Sequence, residues 1–186
     1  MANVFEVLGR DHDRVKEALA ELEAGAGRTA PDELAHRRKL IERLVMDESV
    51  HEAVEEEYFW PVVRRTALGG DRLADHAVRQ EQSAKYVMSD LIGMEPGDER
   101  FEELLRTFIA DAREHIAFEE DVVWPELYEL IGKEHADDLG RKIAEGRKRA
   151  PTRPHPHTPP RPGILKAAGP AMAVADRLRD RVAHRG

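Results

Sequence analysis

The 186-residue sequence contains no cysteine. This absence excludes disulfides, thiolate catalysis, zinc ribbons and iron–sulfur clusters, so a metal site here would have to use His, carboxylate or Tyr ligands. The chain also lacks any apolar run close to the roughly 20 residues that span a bilayer. Its first residues, MANVFEVLGRDHD, have neither the basic start nor the apolar core of a signal peptide. We therefore expect a cytoplasmic protein with no membrane segment.

Positive charge is in deficit as well, because 29 Lys and Arg residues stand against 37 Asp and Glu residues, a net charge of −8. A nucleic-acid interface needs a concentrated basic surface, so we expect no nucleic-acid partner. Charged residues make up 35% of the chain and hydrophobic residues 41%, a balance typical of a soluble and mostly helical protein. The length suits one buried core followed by a tail.

Apolar residues recur at spacings of three, four and seven, which predicts four long helices. Asn3 is a plausible N-cap for the first helix, Gly25 and Gly27 end it, and Asp71 is a plausible cap for the third. The predicted helices cover residues 4–22, 31–60 or somewhat beyond, 71–92, and a stretch that follows the break MEPGDER. Long helices with short connections favour an all-α fold, an up-down-up-down antiparallel four-helix bundle with additional short C-terminal helices.

The predicted domain organisation has three parts. The bundle, including a short helix near residues 133–145, covers residues 1–145. The run RKRAPTRPHPHTPPRPG then predicts a Pro-rich linker over 146–169, because its prolines oppose a regular helix. Residues 170–186 form the third part, a short amphipathic helix that could dock on the bundle or on a partner.

One phrase of the sequence occurs twice: HEAVEEEYFWP at 51–61 returns as HIAFEEDVVWP at 115–125, an offset of 64 residues. At the same offset Asp11-His12 returns as Asp75-His76, and Glu17 returns as Glu81. The chain is thus interpreted as a duplicated helical hairpin. A bundle built from two such hairpins has approximate two-fold symmetry and brings repeated residues together near its axis.

The repeated residues have the chemistry of metal ligands. Residues i and i+4 lie about 40° apart around a helix, so His51 and Glu55 point the same way, as do His115 and Glu119. Buried carboxylates and imidazoles are costly unless they are paired or bound to a metal. The pattern predicts a site for two metal ions with six ligands: His12, His51, Glu55, His76, His115 and Glu119. Iron suits such ligands, although manganese or zinc is chemically allowed.

Two neighbouring residues are less strongly predicted as metal ligands. Glu52 follows His51 directly, so it could swing in as an additional ligand or lie just behind the ligands. Tyr58, seven residues after His51, could bind iron as a phenolate or only hydrogen-bond nearby. Neither has a counterpart in the second copy of the phrase, where Ile116 and Val122 stand.

The remaining residues of the phrase are interpreted as structural. The acids Glu56, Glu57, Glu120 and Asp121 are assigned to a solvated face. Each Trp-Pro pair is expected to fill the bundle end with its Trp and to kink or end its helix at the Pro.

This combination of motifs resembles the hemerythrin-like, or HHE cation-binding, family over about residues 1–145. The matching residues are His12, the H-x-x-x-E of His51 and Glu55, His76, and the H-x-x-x-E of His115 and Glu119. The resemblance implies a four-helix bundle with a non-heme di-iron centre, in which an oxo or hydroxo bridge and the two carboxylates span the irons. It further implies that His12 and His51 share one iron, and that His76 and His115 share the other.

The sequence departs from the oxygen-carrying hemerythrins at two points. Those proteins have the pattern H-x-x-x-H on the third helix, where this chain has Gln80 in place of the second His. On the fourth helix they have H-x-x-x-x-D, whereas in this chain the acid is Glu119, four residues after His115. Gln80 is accordingly a candidate for an additional ligand or a residue just behind the ligands. One imidazole fewer would leave room for an exogenous ligand at both irons, which favours oxygen or peroxide chemistry over reversible carriage alone.

Three functions follow as hypotheses. The first is a di-iron protein that binds or reacts with oxygen, hydrogen peroxide or nitric oxide, with catalase-like peroxide decomposition as its enzymatic form. The second is an iron or oxygen sensor or store that acts through an unidentified protein partner without turnover. The third is a helical interaction module without a functional metal.

Overall fold

The structure, a computed structural model, describes residues 2–159 and 162–183, and every regular element within them is helical. Seven α-helices occur in this part of the chain: α1 Val4–Ala24, α2 Pro31–Val54, α3 Trp60–Thr66, α4 Gly70–Leu91, α5 Glu99–Phe118, α6 Trp124–Gly146 and α7 Pro162–Ala183. A π turn, Glu55–Phe59, joins α2 to α3, and a second, Glu119–Val123, joins α5 to α6. A 3-10 turn, Arg147–Arg149, follows α6. The all-α prediction is confirmed.

The helix ends show how the local sequence sets the elements. The Asn3 side chain accepts the Glu6 N–H, and the Glu6 carboxylate accepts the Asn3 N–H, so α1 begins with the capping box that S/T/N-x-x-E patterns favour. The prediction of Asp71 as the cap of α4 is wrong. Gly69 caps that helix with a left-handed φ of 69°, and a Cβ on Gly70 would lie 2.2 Å from the Val63 carbonyl oxygen. The turn therefore needs both glycines.

The π turns lie immediately before the two Trp-Pro pairs. A proline in an α-helix has no N–H to donate, and its ring collides with the carbonyl four residues earlier. The wider π turn relieves this collision, because the Trp60 N–H donates to the Glu55 carbonyl and the Trp124 N–H donates to the Glu119 carbonyl, each five residues back. Each Pro thus reshapes its helix at the residue where the repeated Glu stands.

The described helices bury two apolar clusters with a polar layer between them. One cluster includes Leu8, Val54 and Val123, and the other includes Val15, Val45 and Ile116. Along α1, α2 and the α5 segment, the buried His and Glu residues fall between members of the two clusters. Helix α1 packs against α2, α5 and α6, and α4 packs against α2, α3 and α5. These contacts position the polar layer, while the antiparallel order of the predicted bundle stays a prediction.

The C-terminal part differs from its predicted boundaries. The predicted helix at 133–145 belongs to the longer α6, which bends at Gly132 (φ 66°, ψ 169°). The predicted terminal helix, 170–186, begins eight residues earlier, at Pro162, so part of the predicted linker 146–169 is helical. Proline is tolerated in the first turn of a helix, where its missing N–H needs no partner, and α7 begins at Pro162. A second proline, Pro170, lies within the helix. The end of the predicted segment, 184–186, lies outside the described residues.

None of the described helices is long and apolar enough to cross a bilayer.

Close packing of α6 against the start of α1 generates a stability prediction. An added Cβ on Gly140 would lie 2.6 Å from the Ala2 carbonyl oxygen and 2.7 Å from the Asn3 carbonyl carbon. We expect Gly140→Ala to lower the free energy of unfolding of the metal-free protein by about 1–3 kcal/mol, measured by urea denaturation. Gly169→Ala is the matched control, because outside its own helix no atom of the described residues lies within 4 Å of its added Cβ. Equal stability of Gly140→Ala and the parent chain would contradict this contact.

Candidate metal centre

The polar layer contains two groups of potential ligands that share two carboxylates. In each group one ligand atom per residue lies within 4.8 Å of the others. The first group is His12, His51, Glu55 and Glu119, and the second is Glu55, Glu81, His115 and Glu119. Glu55 and Glu119, the first residues of the two π turns, belong to both groups. This geometry allows each of these carboxylates to contact two ions, as the duplicated sequence predicts.

Each of the three imidazoles has an oxygen close to Nδ1. The pairs are His12 with Glu120 Oε1 at 2.9 Å, His51 with Asp11 Oδ2 at 3.3 Å, and His115 with Gln80 Oε1 at 3.1 Å. An Nδ1–H that donates to such an oxygen fixes the ring orientation and leaves the Nε2 lone pair free. This is the arrangement of a metal-binding histidine, and here it occurs at all three.

The Nε2 atoms converge on the shared carboxylates. His51 Nε2 lies 3.2 Å from Glu55 Oε2, His115 Nε2 lies 3.2 Å from Glu119 Oε1, and His12 Nε2 lies 3.1 Å from Glu119 Oε2. The Nε2 atoms of His12 and His51 are only 3.3 Å apart. Two lone pairs at this distance repel each other unless a proton or a metal ion lies between them.

Apart from these imidazole nitrogens, the shared carboxylates have no polar partner. Glu55 and Glu119 are both 0% exposed, and neither oxygen of either side chain makes a well-aligned hydrogen bond; the same is true of His115 Nε2. An unpartnered buried carboxylate is costly in a folded protein. A metal ion would satisfy these atoms, so the residues of this layer fit a metal.

The protonation of the site follows from the same geometry. Burial alone would lower the pKa of His51, but Glu55 and Glu119 raise it to about 10. Burial would likewise lower the pKa of His115, but Glu119 and Glu55 raise it to about 9. Burial, and then the charge of Glu119, raises the pKa of Glu55. For Glu119, burial would raise the pKa, but His115 and His12 hold it below its usual range. Without metal, His51 and His115 therefore carry protons that a metal would displace.

Glu81 of α4 is a member of the second group that is not among the predicted ligands. Its Oε1 accepts the Trp60 Nε1–H, and its Oε2 is buried without a partner. Burial and then the charges of Glu56 and Glu55 raise the pKa of this carboxyl. The sequence feature that points to Glu81 is its recurrence with Glu17 at the 64-residue offset. Glu81 is not part of an H-x-x-x-E motif, because it follows His76 by five residues rather than four.

His76 joins neither group. Its half-buried ring packs edge-on against Phe118, with 4.6 Å between the ring centroids, and it lines the cavity beside the site. Glu81 lies about one turn further along α4, and its carboxylate takes part in the second group instead. Metal binding by His76 stays a prediction.

Tyr58 is turned away from the two groups. Its hydroxyl lies beside Glu57 and Arg149, and its ring contacts Gly146 of α6. A π turn advances less around the axis per residue than an α-helix, so Tyr58 does not stay on the face of His51. The structure thus offers a hydrogen-bonding role for Tyr58 rather than a phenolate ligand.

The acids beside the ligands differ from their predicted exposure. Glu56 was expected on a solvated face, but it is buried and ion-paired with Lys85, which also lies 3.9 Å from Glu52. Glu120 is partly buried and shared by His12 and Lys16. Asp121 is exposed, as predicted. Repeated acids in a helix thus divide between the core and the surface by their angle around the axis.

A cavity of about 350 Å³ connects the site to the surface. His12, His51 and His115 line its inner part, and exposed residues of α4 and α5 line its outer part: Arg79, Ser83, Asp111 and Glu114. Apolar residues of α5, Phe108, Ala112 and Ile116, form one wall. The opening lies between α4 and α5, and it can admit a small molecule to the ligand layer.

Comparisons with known proteins point to one domain family. A family model described as the Hemerythrin HHE cation binding domain matches residues 3–127. A solved structure, a hemerythrin HHE cation binding domain-containing protein from Mycobacterium kansasii, has a TM-score of 0.66 and 19% identity. The alignment covers 95% of this chain and 99% of that one, and at this identity it shows a shared fold. No curated protein matches the chain.

The two repeated tryptophans provide a matched test of the Glu81 contact. Trp60 Nε1–H donates to Glu81, whereas Trp124 Nε1 is buried without a partner. Trp60→Phe should lower the free energy of unfolding of the metal-free protein by about 1–3 kcal/mol more than Trp124→Phe does, because only the first leaves a buried carboxylate unpaired. Urea denaturation of both variants measures this difference. Equal losses would show that the Trp60–Glu81 hydrogen bond contributes nothing.

Proposed function

The chain belongs to the Hemerythrin HHE cation binding domain family, and from this we propose that its buried layer holds two iron ions that act on small oxidants. The observation that carries the proposal is the set of three imidazoles, anchored at Nδ1, that converge on two unpartnered carboxylates. Helical bundles build two-metal sites from such inward-facing residues. We also propose that α1, α2, α4 and α5 form the antiparallel four-helix bundle around it.

The ligand groups divide naturally between two ions. His12 and His51 would bind the first ion and His115 and Glu81 the second, with Glu55 and Glu119 shared. The H-x-x-x-E spacing and the π turns direct the ligand atoms, and the partners at Nδ1 hold the rings. The metal content of a His76→Ala variant decides whether His76 also contributes.

Iron is favoured by the donor set. The ligands are imidazole nitrogens and carboxylate oxygens, with no thiolate, and two carboxylates belong to both groups. Manganese and zinc accept similar ligands, so metal analysis of the purified protein separates the three. When bound, the iron pair would offer a binding position for oxygen or nitric oxide, and it would take two electrons from one hydrogen peroxide and return them to another, so that peroxide disproportionates to oxygen and water.

The surrounding residues control what reaches the ligand layer. The cavity between α4 and α5 opens next to His115, and the apolar wall of Phe108, Ala112 and Ile116 leaves a passage suited to small ligands. Gln80 accepts the His115 Nδ1–H where the oxygen-carrying relatives have a second imidazole. Its amide holds the ring, and an ion bound by His115 would have one imidazole ligand fewer, which would leave room for an incoming ligand. These features favour oxidant chemistry over carriage.

Iron or oxygen sensing, or iron storage, is the second candidate function. The observation that favours sensing is the packing of α7 against the first π turn, which begins with Glu55. A change in occupancy at Glu55 would therefore act on a surface helix that a protein partner could recognise. Binding of a partner only by the iron-loaded chain, without turnover of oxidants, would favour this candidate.

Metal content tests the ligand assignment. We expect about two irons per chain in the iron-loaded protein, as in other bundle sites of this ligand type. Glu119→Ala should lose most of the iron, because Glu119 belongs to both groups, whereas His51→Ala and His115→Ala should each lose part of it. His36→Ala is the control, since this His is exposed and paired with Glu21. Undiminished iron in Glu119→Ala would contradict the site.

Peroxide decomposition tests the oxidant chemistry. Hydrogen peroxide is small enough for the cavity, so the iron-loaded protein should decompose it, and oxygen evolution measures the rate. The metal-free chain, and Glu119→Ala treated with iron in the same way as the parent chain, are the controls. Turnover by the loaded protein no faster than by the metal-free chain would exclude catalase-like activity and leave sensing or storage.

A further inference from the structure

Asp11 connects one metal-binding histidine to residues outside the family match. Its carboxylate is 4% exposed, and its Oδ2 is the atom close to His51 Nδ1. Two guanidinium groups contact this carboxylate. Arg14 of α1 contacts Oδ1, and Arg147 contacts Oδ2, the oxygen that His51 also uses. The match to the family model ends at residue 127, so Arg147 lies outside the matched residues.

The two arginines differ in their surroundings. Arg14 is 49% exposed, while Arg147 is 25% exposed and its Nε is buried without a partner. An exposed ion pair contributes little because water screens it, but a partly desolvated guanidinium needs its anion. Asp11 is the carboxylate that pairs with Arg147 among the described residues. Arg147 is therefore the partner that keeps Oδ2 turned toward His51.

Helix α7 holds the turn that carries Arg147. The Arg177 side chain donates to the Lys148 carbonyl at 2.7 Å and lies 3.4 Å from the Ala150 carbonyl. The Thr152 N–H donates to the buried Asp176 carboxylate at 3.2 Å. A continuous set of contacts thus runs from α7 through the 147–149 turn to Asp11 and His51. His115, at the other end of the site, is oriented by Gln80 of α4.

We propose that Arg147 is a positioning residue for the metal centre: it fixes Asp11, Asp11 fixes the ring of His51, and the C-terminal segment thereby sets the affinity of one of the two ions. The inference rests on the proposed metal binding. Without Arg147, Asp11 can turn toward Arg14 on the solvent side, and the His51 Nδ1–H loses its acceptor. Outer contacts of this kind change metal affinity by roughly 10- to 100-fold.

Iron release from the full chain tests the proposal. The protein is loaded with ferrous iron without oxygen and then mixed with an excess of a ferrous chelator. In Arg147→Ala, one of the two ions should be released about 10- to 100-fold faster than in the parent chain, and the other at the parent rate. Arg147→Lys keeps the charge and should restore most of the slow release. Equal release curves for Arg147→Ala and the parent chain would overturn the proposal.

Arg149→Ala separates positioning from packing of the turn. Arg149 lies in the same turn but beside the Tyr58 hydroxyl, so its removal should leave both release rates unchanged. Asp11→Asn should reproduce the fast release, and the double variant Asp11→Asn with Arg147→Ala should be no faster than Asp11→Asn alone. If Arg149→Ala released iron as fast as Arg147→Ala, or if the two effects multiplied, Arg147 would not act through Asp11.

A measurement without metal decides the case in which the parent chain binds no iron. Imidazole nitrogen NMR of the metal-free protein reports the hydrogen bond at each Nδ1. In Arg147→Ala the His51 signal should shift toward that of an unbonded ring, and the His115 signal should stay in place. An unchanged His51 signal would overturn the inference, whereas absence of iron in the parent chain would count against the proposed function alone.

Discussion

Two glutamates without hydrogen-bond partners lie at the centre of this structure, and the arrangement of the helices around them depends on how their charge is accommodated. Glu55 and Glu119 are fully buried between two apolar clusters, where an isolated carboxylate would strongly destabilise the fold. Three imidazoles surround them. These rings add no unpaired Nδ1–H group to the core, because each Nδ1–H has another oxygen as its acceptor. The negative charge of the two glutamates has to be balanced by positive charge within the layer. Protons on the imidazoles balance it in part, and bound metal ions would balance it in full.

The Trp-Pro pairs explain how a chain of ordinary helices presents these carboxylates. Each proline excludes a regular α-helical turn, and the resulting π turn starts at the glutamate itself. The wider turn changes the direction of every residue after the glutamate. The H-x-x-x-E spacing lies before the turn, so that pair stays on one face of the helix, whereas Tyr58 moves off that face. The Trp-Pro motif, which the sequence alone suggests is only structural, thus helps to shape the site.

Much of the centre could be predicted because its signals are local or repeated. The spacing of His51 and Glu55 places them on one face of any helix, and the 64-residue offset pairs them with His115 and Glu119. The residues that could not be predicted depend on contacts between distant segments. Glu81 has no helical spacing to another ligand, and its place follows from the Trp60 side chain. Arg147 reaches Asp11 from a segment that carries no pattern related to the site.

The duplication also overstates the symmetry of the site. Asp11 is buried and supports His51, but its repeat, Asp75, is exposed and pairs with Arg64 at 2.6 Å. His12 stacks on Trp124 within the ligand layer, whereas His76 packs on Phe118 beside the cavity. The first group of ligands therefore has two imidazoles and two carboxylates, and the second has one imidazole and three carboxylates.

Oxygen-rich sites favour harder ions and the higher oxidation states of iron, while imidazole nitrogen favours softer ones. A difference between the two proposed ions would thus begin at Glu81 and His76, rather than at Glu52 and Tyr58, where the two copies of the phrase differ in sequence. The cavity strengthens this asymmetry, because residues of α4 and α5 line its outer part and the second group draws Glu81 and His115 from these two helices. A small molecule that enters the cavity would meet His115, which is 12% exposed, before His12 and His51, which are 1% and 3% exposed. The end of the site supported by Asp11 and Arg147 is therefore the more protected of the two.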